Sequence, residues 1–374
     1  MLIMVEGNHR NTQAIINLKA IENNIVAERK RMSQEQKLFA VVKANAYGHG
    51  IIPIAKVAER AGAAGFCVAI VDEALALRAA GLDETILVLG VTPTNQACLL
   101  AENKISVAVG DLGYLQGALT YLKDTDQKLR IHLALDTGMG RIGFRNKEDL
   151  NEAITFINNN RNKFNFEGIF THFATADSAD EEYYKKQITT FNDLMSVVKK
   201  KPRYVHVANS AAALWHRECS GNVVRFGITM YGLNPSGEAL ELPQTFKAAL
   251  SLTSEVAAIK QIGKGDSVGY GKTYTAEMNE WIATIPIGYA DGWPRCMQGF
   301  KILIDGQYCE IVGRVCMDQI MVRVPYSVKV GTEVTLIGEN QEEKITALDV
   351  AKYAKTISYE ILCGISERVQ RKYI

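Results

Sequence analysis

The residue most suited to covalent chemistry is Lys43, which ends an apolar run from Leu38 to Val42 and opens a small-residue turn closing on Tyr47-Gly48-His49-Gly50. An ammonium at the end of a buried strand is costly. Such a lysine pairs with a carboxylate, extends its amine to solvent, or is covalently occupied. Desolvation lowers its pKa and makes it an amine nucleophile able to form a Schiff base. Other reactive side chains share this placement. Asp136 and Arg141 lie in DTGMGRIG, His172 in THFATAD, and His206 just before Asn209-Ser210. Arg225 precedes Gly227-Ile228, a turn that offers backbone N–H groups beside a hydroxyl and so suits a phosphate.

These residues need elements that bring them to one place. Eight apolar runs, LFAVVKA, GFCVAI, TILVLG, ISVAVG, LRIHLALD, FEGIFTHF, YVHVAN and NVVRFG, alternate with helical periodicity between about residues 12 and 245. They read as strands buried on both faces, the pattern of a parallel sheet. Gly62 and Gly81 stand where helices should stop. The expected fold is α/β, an N-terminal (β/α)8 TIM-like barrel over 12–245. In that fold chemistry sits at the C-terminal strand ends, where these side chains fall. A Schiff-base lysine and a phosphate cradle on one rim point to pyridoxal 5′-phosphate as cofactor. From about 246 to 374 the pattern changes to alternating segments broken by Gly, Asp and Asn turns. That is expected to be a mostly antiparallel β C-terminal domain, which residues 1–11 are free to join, with 235–244 as linker.

Composition narrows the function classes. Forty-two Lys and Arg against 41 Asp and Glu give a net charge of +1, so no global field recruits nucleic acid or an acidic membrane. No apolar segment of signal-peptide or membrane-span length stands out, and the chain reads as cytoplasmic. Seven scattered cysteines, Cys67, Cys98, Cys219, Cys296, Cys309, Cys316 and Cys363, form no C-x-x-C pair and read as reduced thiols. No metal site is expected.

Nine motifs in order make the chain resemble the alanine racemases, fold-type III pyridoxal-phosphate enzymes, over nearly its whole length. They are AVVKANAYGHG, DTGMGRIG, THFATAD, VANSAA, VRFGITMYG, GYGKTY, GYADG, GRVCMDQ and ISYEILCGIS. The resemblance implies that Lys43 carries the cofactor and is one catalytic base, and that Tyr270 is the other. Tyr270 would come from the partner subunit and face the opposite side of the substrate Cα. Arg225 would face the pyridine nitrogen with His206 behind it. Tyr47, Ser210, Gly227, Ile228 and Tyr359 would contact the phosphate. His172 would join the cofactor residues and position Tyr270. Arg141 and the backbone at Met317 would hold the substrate carboxylate, and Tyr289, Arg295 and Asp318 would line the entrance. The implied activity is interconversion of L- and D-alanine by a homodimer with shared active sites, supplying D-alanine for peptidoglycan.

The residue types make chemical sense of that reading. Racemisation removes a proton from one face of Cα and returns one to the other, so two bases on opposite faces suit it. Lysine and tyrosine both start near pKa 10 and need tuning downward. An arginine at the ring nitrogen can only donate, so the ring stays unprotonated and the carbanion is held less deeply than over an acid.

Other readings stand beside it. A racemase of broader specificity, for serine or lysine, would share these motifs, as would a non-catalytic pyridoxal-phosphate-binding protein. GMGRIG fits a dinucleotide fingerprint but sits two residues past its strand end, without an acidic residue about 20 positions on. One departure from the family pattern is informative. Many alanine racemases carry a carbamylated lysine two residues before the aspartate of DTGMGR, bracing the arginine matched here to Arg141. This chain has Ala134 there. A bound small anion, most simply chloride, is expected to take that role near Arg141 and Ala134, with a nearby carboxylate or amide as the alternative.

Overall fold

A computed structural model describes residues 6–123, 125–217 and 221–374. It divides into two compact units, one of 1–19, 47–50 and 248–374, the other of 20–46 and 51–247.

The second unit is the expected barrel. Eight parallel strands, Lys37–Val41, Gly65–Val68, Thr85–Val88, Ile105–Val109, Leu129–Ala134, Phe164–Phe170, Tyr204–His206 and Val223–Phe226, pair in sequence, with the last returning beside the first. Lys37 lies opposite Val223 and Ala40 opposite Phe226. Backbone bonds from Asn222 to Val205 (2.8 Å) and from Arg225 to Ala208 (3.0 Å) close the remaining seam. The strands Gly65–Val68, Thr85–Val88, Ile105–Val109 and Val223–Phe226 are buried at every position. Helices cover one face and packed side chains fill the interior, which is why these runs read as unbroken apolar segments. Gly62 and Gly81 end their helices with φ of 89° and 86°, a left-handed conformation that glycine adopts without Cβ strain.

The first unit is built on a ten-stranded, mostly antiparallel sheet. The segment 12–19 differs from the expected boundary. Strand Gln13–Ile16 pairs antiparallel with Leu250–Glu255 and parallel with Gln370–Tyr373, so it is part of this sheet and not of the barrel. Its alternating burial, with Ala14 and Ile16 inward, is that of a sheet with one face on a core. Helices Ala347–Ala354 and Ser358–Gly364 complete the unit. Cys67, Cys98, Cys296, Cys309, Cys316 and Cys363 are free thiols, while Cys219 lies outside the described residues. No helix among the described residues is long and apolar enough to cross a membrane.

Candidate active site

Lys43 comes two residues past the end of the first barrel strand, after Val42, and is half-buried at that C-terminal end. The next four residues have an unusual backbone. Ala44, Asn45 and Ala46 have φ of 54°, 51° and 54° with ψ near 50°, and Tyr47 has φ of 53°. This is a left-handed turn made without glycine, at a cost of roughly 1–2 kcal/mol per residue. Two side chains brace it. Asn45 Oδ1 accepts the Ile51 N–H at 2.8 Å, and Glu73 accepts the Ala44 N–H at 2.6 Å. The tight turn redirects the chain at once, leaving Lys43 on the rim.

Arg225, on the eighth barrel strand, is 3% exposed. Its Nη1 donates to His206 Nδ1 at 2.9 Å and to the His206 carbonyl at 2.8 Å. Its Nη2 donates to the Thr171 and Val207 carbonyls and to His172 Nδ1 at 3.1 Å. A guanidinium only donates, so both imidazoles must accept at Nδ1 and carry their proton on Nε2. His206 Nε2 therefore donates to His132 Nδ1 at 2.9 Å, and His132 Nε2 donates to Glu167 Oε2 at 3.3 Å. The result is a directed chain from Arg225 through two histidines to a buried carboxylate, which also accepts from Ser106.

The electrostatics agree with these tautomers. Burial and the adjacent Arg225 push His206 far below the ordinary histidine range. Burial, then Arg225, Arg141 and Lys43, lower His172 to about 3. Burial also lowers His132 against the pull of Glu167. Burial pushes the Glu167 carboxyl up, but hydrogen bonds from His132 and Ser106 and the nearby Arg130 hold it below the usual carboxylate range. The imidazoles are neutral and the permanent charge stays on Arg225. Three cations, Arg225, Arg141 and Lys43, thus act on one neutral His172.

Arg141 sits in the loop after the fifth barrel strand. That loop is shaped by Asp136, whose Oδ1 accepts from Gly138 N (3.1 Å) and Gly140 N (2.9 Å). It is an internally bonded turn and not a dinucleotide fingerprint. Among the described residues Arg141 has no ion-pair partner. Ala134 is buried in an apolar cluster with Ala108 and Phe170, against which Leu89 and Ile142 pack. Ser210 begins a short helix, and its buried hydroxyl accepts the Gly227 N–H at 2.8 Å. Ile228 starts a one-turn 3-10 helix, whose first N–H groups have no carbonyl within the helix.

The remaining expected residues belong to the β unit. Tyr270 stands on a turn between Gly269 and Gly271, which have φ of 74° and 75°, and is 72% exposed. GYADG and GRVCMDQ are joined through their backbones. Tyr289 N donates to Cys316 O (3.1 Å) and Ala290 N to Met317 O (3.0 Å), and a Cβ on Gly288 would lie 2.3 Å from Met317 O. Tyr289 and Met317 are 42% and 52% exposed. Asp318 pairs with Arg368 at 2.9 Å, and Arg368 also reaches the buried Asp291 at 3.4 Å. Arg295 is exposed. The rings of Tyr47 and Tyr359 are 6.0 Å apart.

The barrel residues fit pyridoxal 5′-phosphate by their donor chemistry. A rim lysine can bond its aldehyde, a buried and permanently charged donor suits its ring nitrogen, and a buried hydroxyl with backbone N–H groups suits its phosphate. His132, Glu167 and Glu73 were not anticipated. His132 alternates within the strand Leu129–Ala134, and only the barrel's closure sets it against His206.

Known proteins match the chain over almost its whole length. The family model for the alanine racemase N-terminal domain matches residues 16–235, and that for the C-terminal domain matches 249–373. An alanine racemase of Ligilactobacillus salivarius is 59% identical over 99% of this chain and 100% of its own. The crystal structure of an alanine racemase from E. faecalis superposes with a TM-score of 0.97 at 48% identity, covering 99% of this chain and all of that one. A histidine racemase from Leuconostoc mesenteroides gives a TM-score of 0.94 at 35% identity, covering 99% and 100%.

Proposed function

The chain belongs to the alanine racemase family, and on that premise we propose that it interconverts L- and D-alanine with Lys43 and Tyr270 as opposed bases. Alanine racemases depend on pyridoxal 5′-phosphate. Bound through Lys43, the cofactor supplies the electron sink that makes the Cα–H bond of an amino acid breakable. The observation that carries the reading is the buried Arg225 guanidinium, held by His206 and His172 as a permanent donor for the ring nitrogen, with Lys43 just past a barrel strand end and the Ser210 hydroxyl bonded to Gly227 N–H.

Within it each residue has a separate task. Lys43 holds the cofactor, then takes or returns a proton on one face of Cα. Tyr270 does the same on the other face. Arg225 donates to the ring nitrogen without surrendering its proton, and the histidine chain behind it fixes its orientation. Arg141 binds the substrate carboxylate, as does the backbone at Met317. Tyr47, Ser210, Gly227, Ile228 and Tyr359 hold the phosphate, His172 orients Tyr270, and Tyr289, Arg295 and Asp318 line the entrance.

Two chains share each site in this proposal. Support comes from apolar side chains left exposed in both units, Tyr270, Tyr289 and Met317 in one and Ile70, Val91 and Met139 on the barrel rim. We also place a chloride beside Arg141, which is exposed and has no ion partner among the described residues, on the strength of the family departure at Ala134. A bromide soak with anomalous diffraction tests this, and a protein carboxylate on Arg141 with no anion peak would rule it out. The buried thiols of Cys67 and Cys309 fit a cytoplasmic enzyme, one that supplies D-alanine for peptidoglycan.

The activity test is racemisation of L- and D-alanine followed by circular dichroism. Serine, lysine and histidine serve as competitors, since the histidine racemase shows that a protein of this fold can serve a larger side chain. Alanine should give the highest kcat/KM. A faster reaction with any other amino acid would replace this reading with a broader racemase, and no racemisation at all would leave a non-catalytic cofactor-binding protein.

A further inference from the structure

Glu73 has no role among the family motifs, yet its carboxylate joins the ends of two neighbouring barrel strands. It is the third residue of the helix Val71–Ala79, where an acid commonly turns back to cap the helix start. Oxygen Oε2 does this, accepting from Ala69 N at 2.8 Å and Ile70 N at 3.4 Å. A capping carboxylate usually leaves its other oxygen to solvent. Here Oε1 accepts from Ala44 N at 2.6 Å and Asn45 N at 3.4 Å, the first two N–H groups after Lys43.

Those two N–H groups belong to the left-handed turn, a conformation these residues would leave if released. Ala46 N returns to Val42 O at 2.8 Å and Asn45 Oδ1 holds Ile51 N on the far side. The near side, at the peptide joining Lys43 to Ala44, is held by Glu73. We propose that Glu73 is a positioning residue for Lys43: its carboxylate locks the strained turn to the adjacent strand end and thereby fixes where the lysine amine stands. The inference rests on Lys43 being the cofactor lysine and a base. It assigns Glu73 no contact with substrate.

Misplacing a reacting group by about an ångström costs on the order of 100-fold in rate. Replacing Glu73 by Ala should therefore lower kcat roughly 10- to 100-fold in both directions, with KM for alanine changed less than about threefold. The cofactor should be lost faster to a hydroxylamine trap, a readout independent of turnover. Glu73→Gln, which keeps one acceptor oxygen and the side-chain shape, should recover part of both. Asn146→Ala supplies the comparison, because Asn146 caps the helix Lys147–Asn159 by accepting from Asp149 N. It should lower Tm by a similar amount and leave kcat and cofactor loss unchanged. Borohydride reduction of the wild-type holoenzyme with peptide mapping is run alongside. A label away from Lys43 overturns both this inference and the functional reading. A label on Lys43, with Glu73→Ala matching wild type in kcat and cofactor retention, overturns this inference alone. So does a kcat loss in Asn146→Ala equal to that in Glu73→Ala. Should Glu73→Ala not fold, Glu73→Gln decides by the same readouts, native values counting against the proposal.

Discussion

Arg225 and Tyr270 bear the sharpest consequences at the level of single residues. Arg225 keeps its proton while its neighbours stay neutral, so Arg225→Glu puts an acid where only a donor stood. Racemisation should fall by roughly 100-fold or more, a long-wavelength absorbance band should appear during turnover, and side transamination should rise. A fully active variant with no new band would mean that Arg225 does not face the ring. Tyr270→Phe should retain cofactor and lose about 100- to 10,000-fold in racemisation, the usual worth of one acid–base group. In D2O it should exchange the Cα proton of one alanine enantiomer only, seen by NMR. Near-native rates in both directions would place the second base elsewhere. Lys43 and Arg225 were legible because a cation at the end of an apolar strand is out of place. Glu73 and Glu167 were not, because a glutamate near a helix start or inside a strand signals nothing until its partner across the fold is known.

The barrel strands could be read from their unbroken apolar runs, since burial on both faces leaves a mark in sequence. Gln13–Ile16 is too short to declare its sheet, and KANAY, rich in good helix formers, gives no sign of a left-handed turn. The buried histidines add a pH dependence. His132, His172 and His206 all have folded-state pKa values below those of the unfolded chain, His172 at about 3. On acidification the unfolded chain takes up these protons first, so stability is full above about pH 6.5 and is lost below it. Each histidine contributes up to about 1.4 kcal/mol per pH unit. Glu28 opposes them: burial, against the charges of Arg31 and Arg217, raises it to about 7. Its protonated form favours the fold, a gain that fades as pH rises through 7. Three protons against one give a Tm that drops steeply from pH 6.5 to 4.5, with a shallower drop in His172→Asn. Calorimetry across that range checks it, and a Tm flat or rising on acidification would contradict the assignment of neutral imidazoles.

At the scale of the whole molecule, Lys43 lies in the barrel unit and Tyr270 in the β unit, where Tyr270 stands 72% exposed on its turn. In the proposed mechanism, exposure of Tyr270 is what a site completed by a second chain requires. The motifs carry the resemblance that implies Lys43 and a partner's Tyr270 as bases, yet no pattern along one chain can test which copy a residue serves. Subunit exchange answers that. Lys43→Ala and Tyr270→Ala proteins, each inactive alone, are mixed, allowed to exchange under mild denaturant, and assayed for racemisation of L-alanine. A shared site predicts recovery to about a quarter of wild-type specific activity, because random exchange in a two-fold dimer makes half the dimers mixed and each mixed dimer keeps one intact site. No recovery after exchange verified by mass would contradict it, showing that Lys43 and Tyr270 serve the site of one and the same chain.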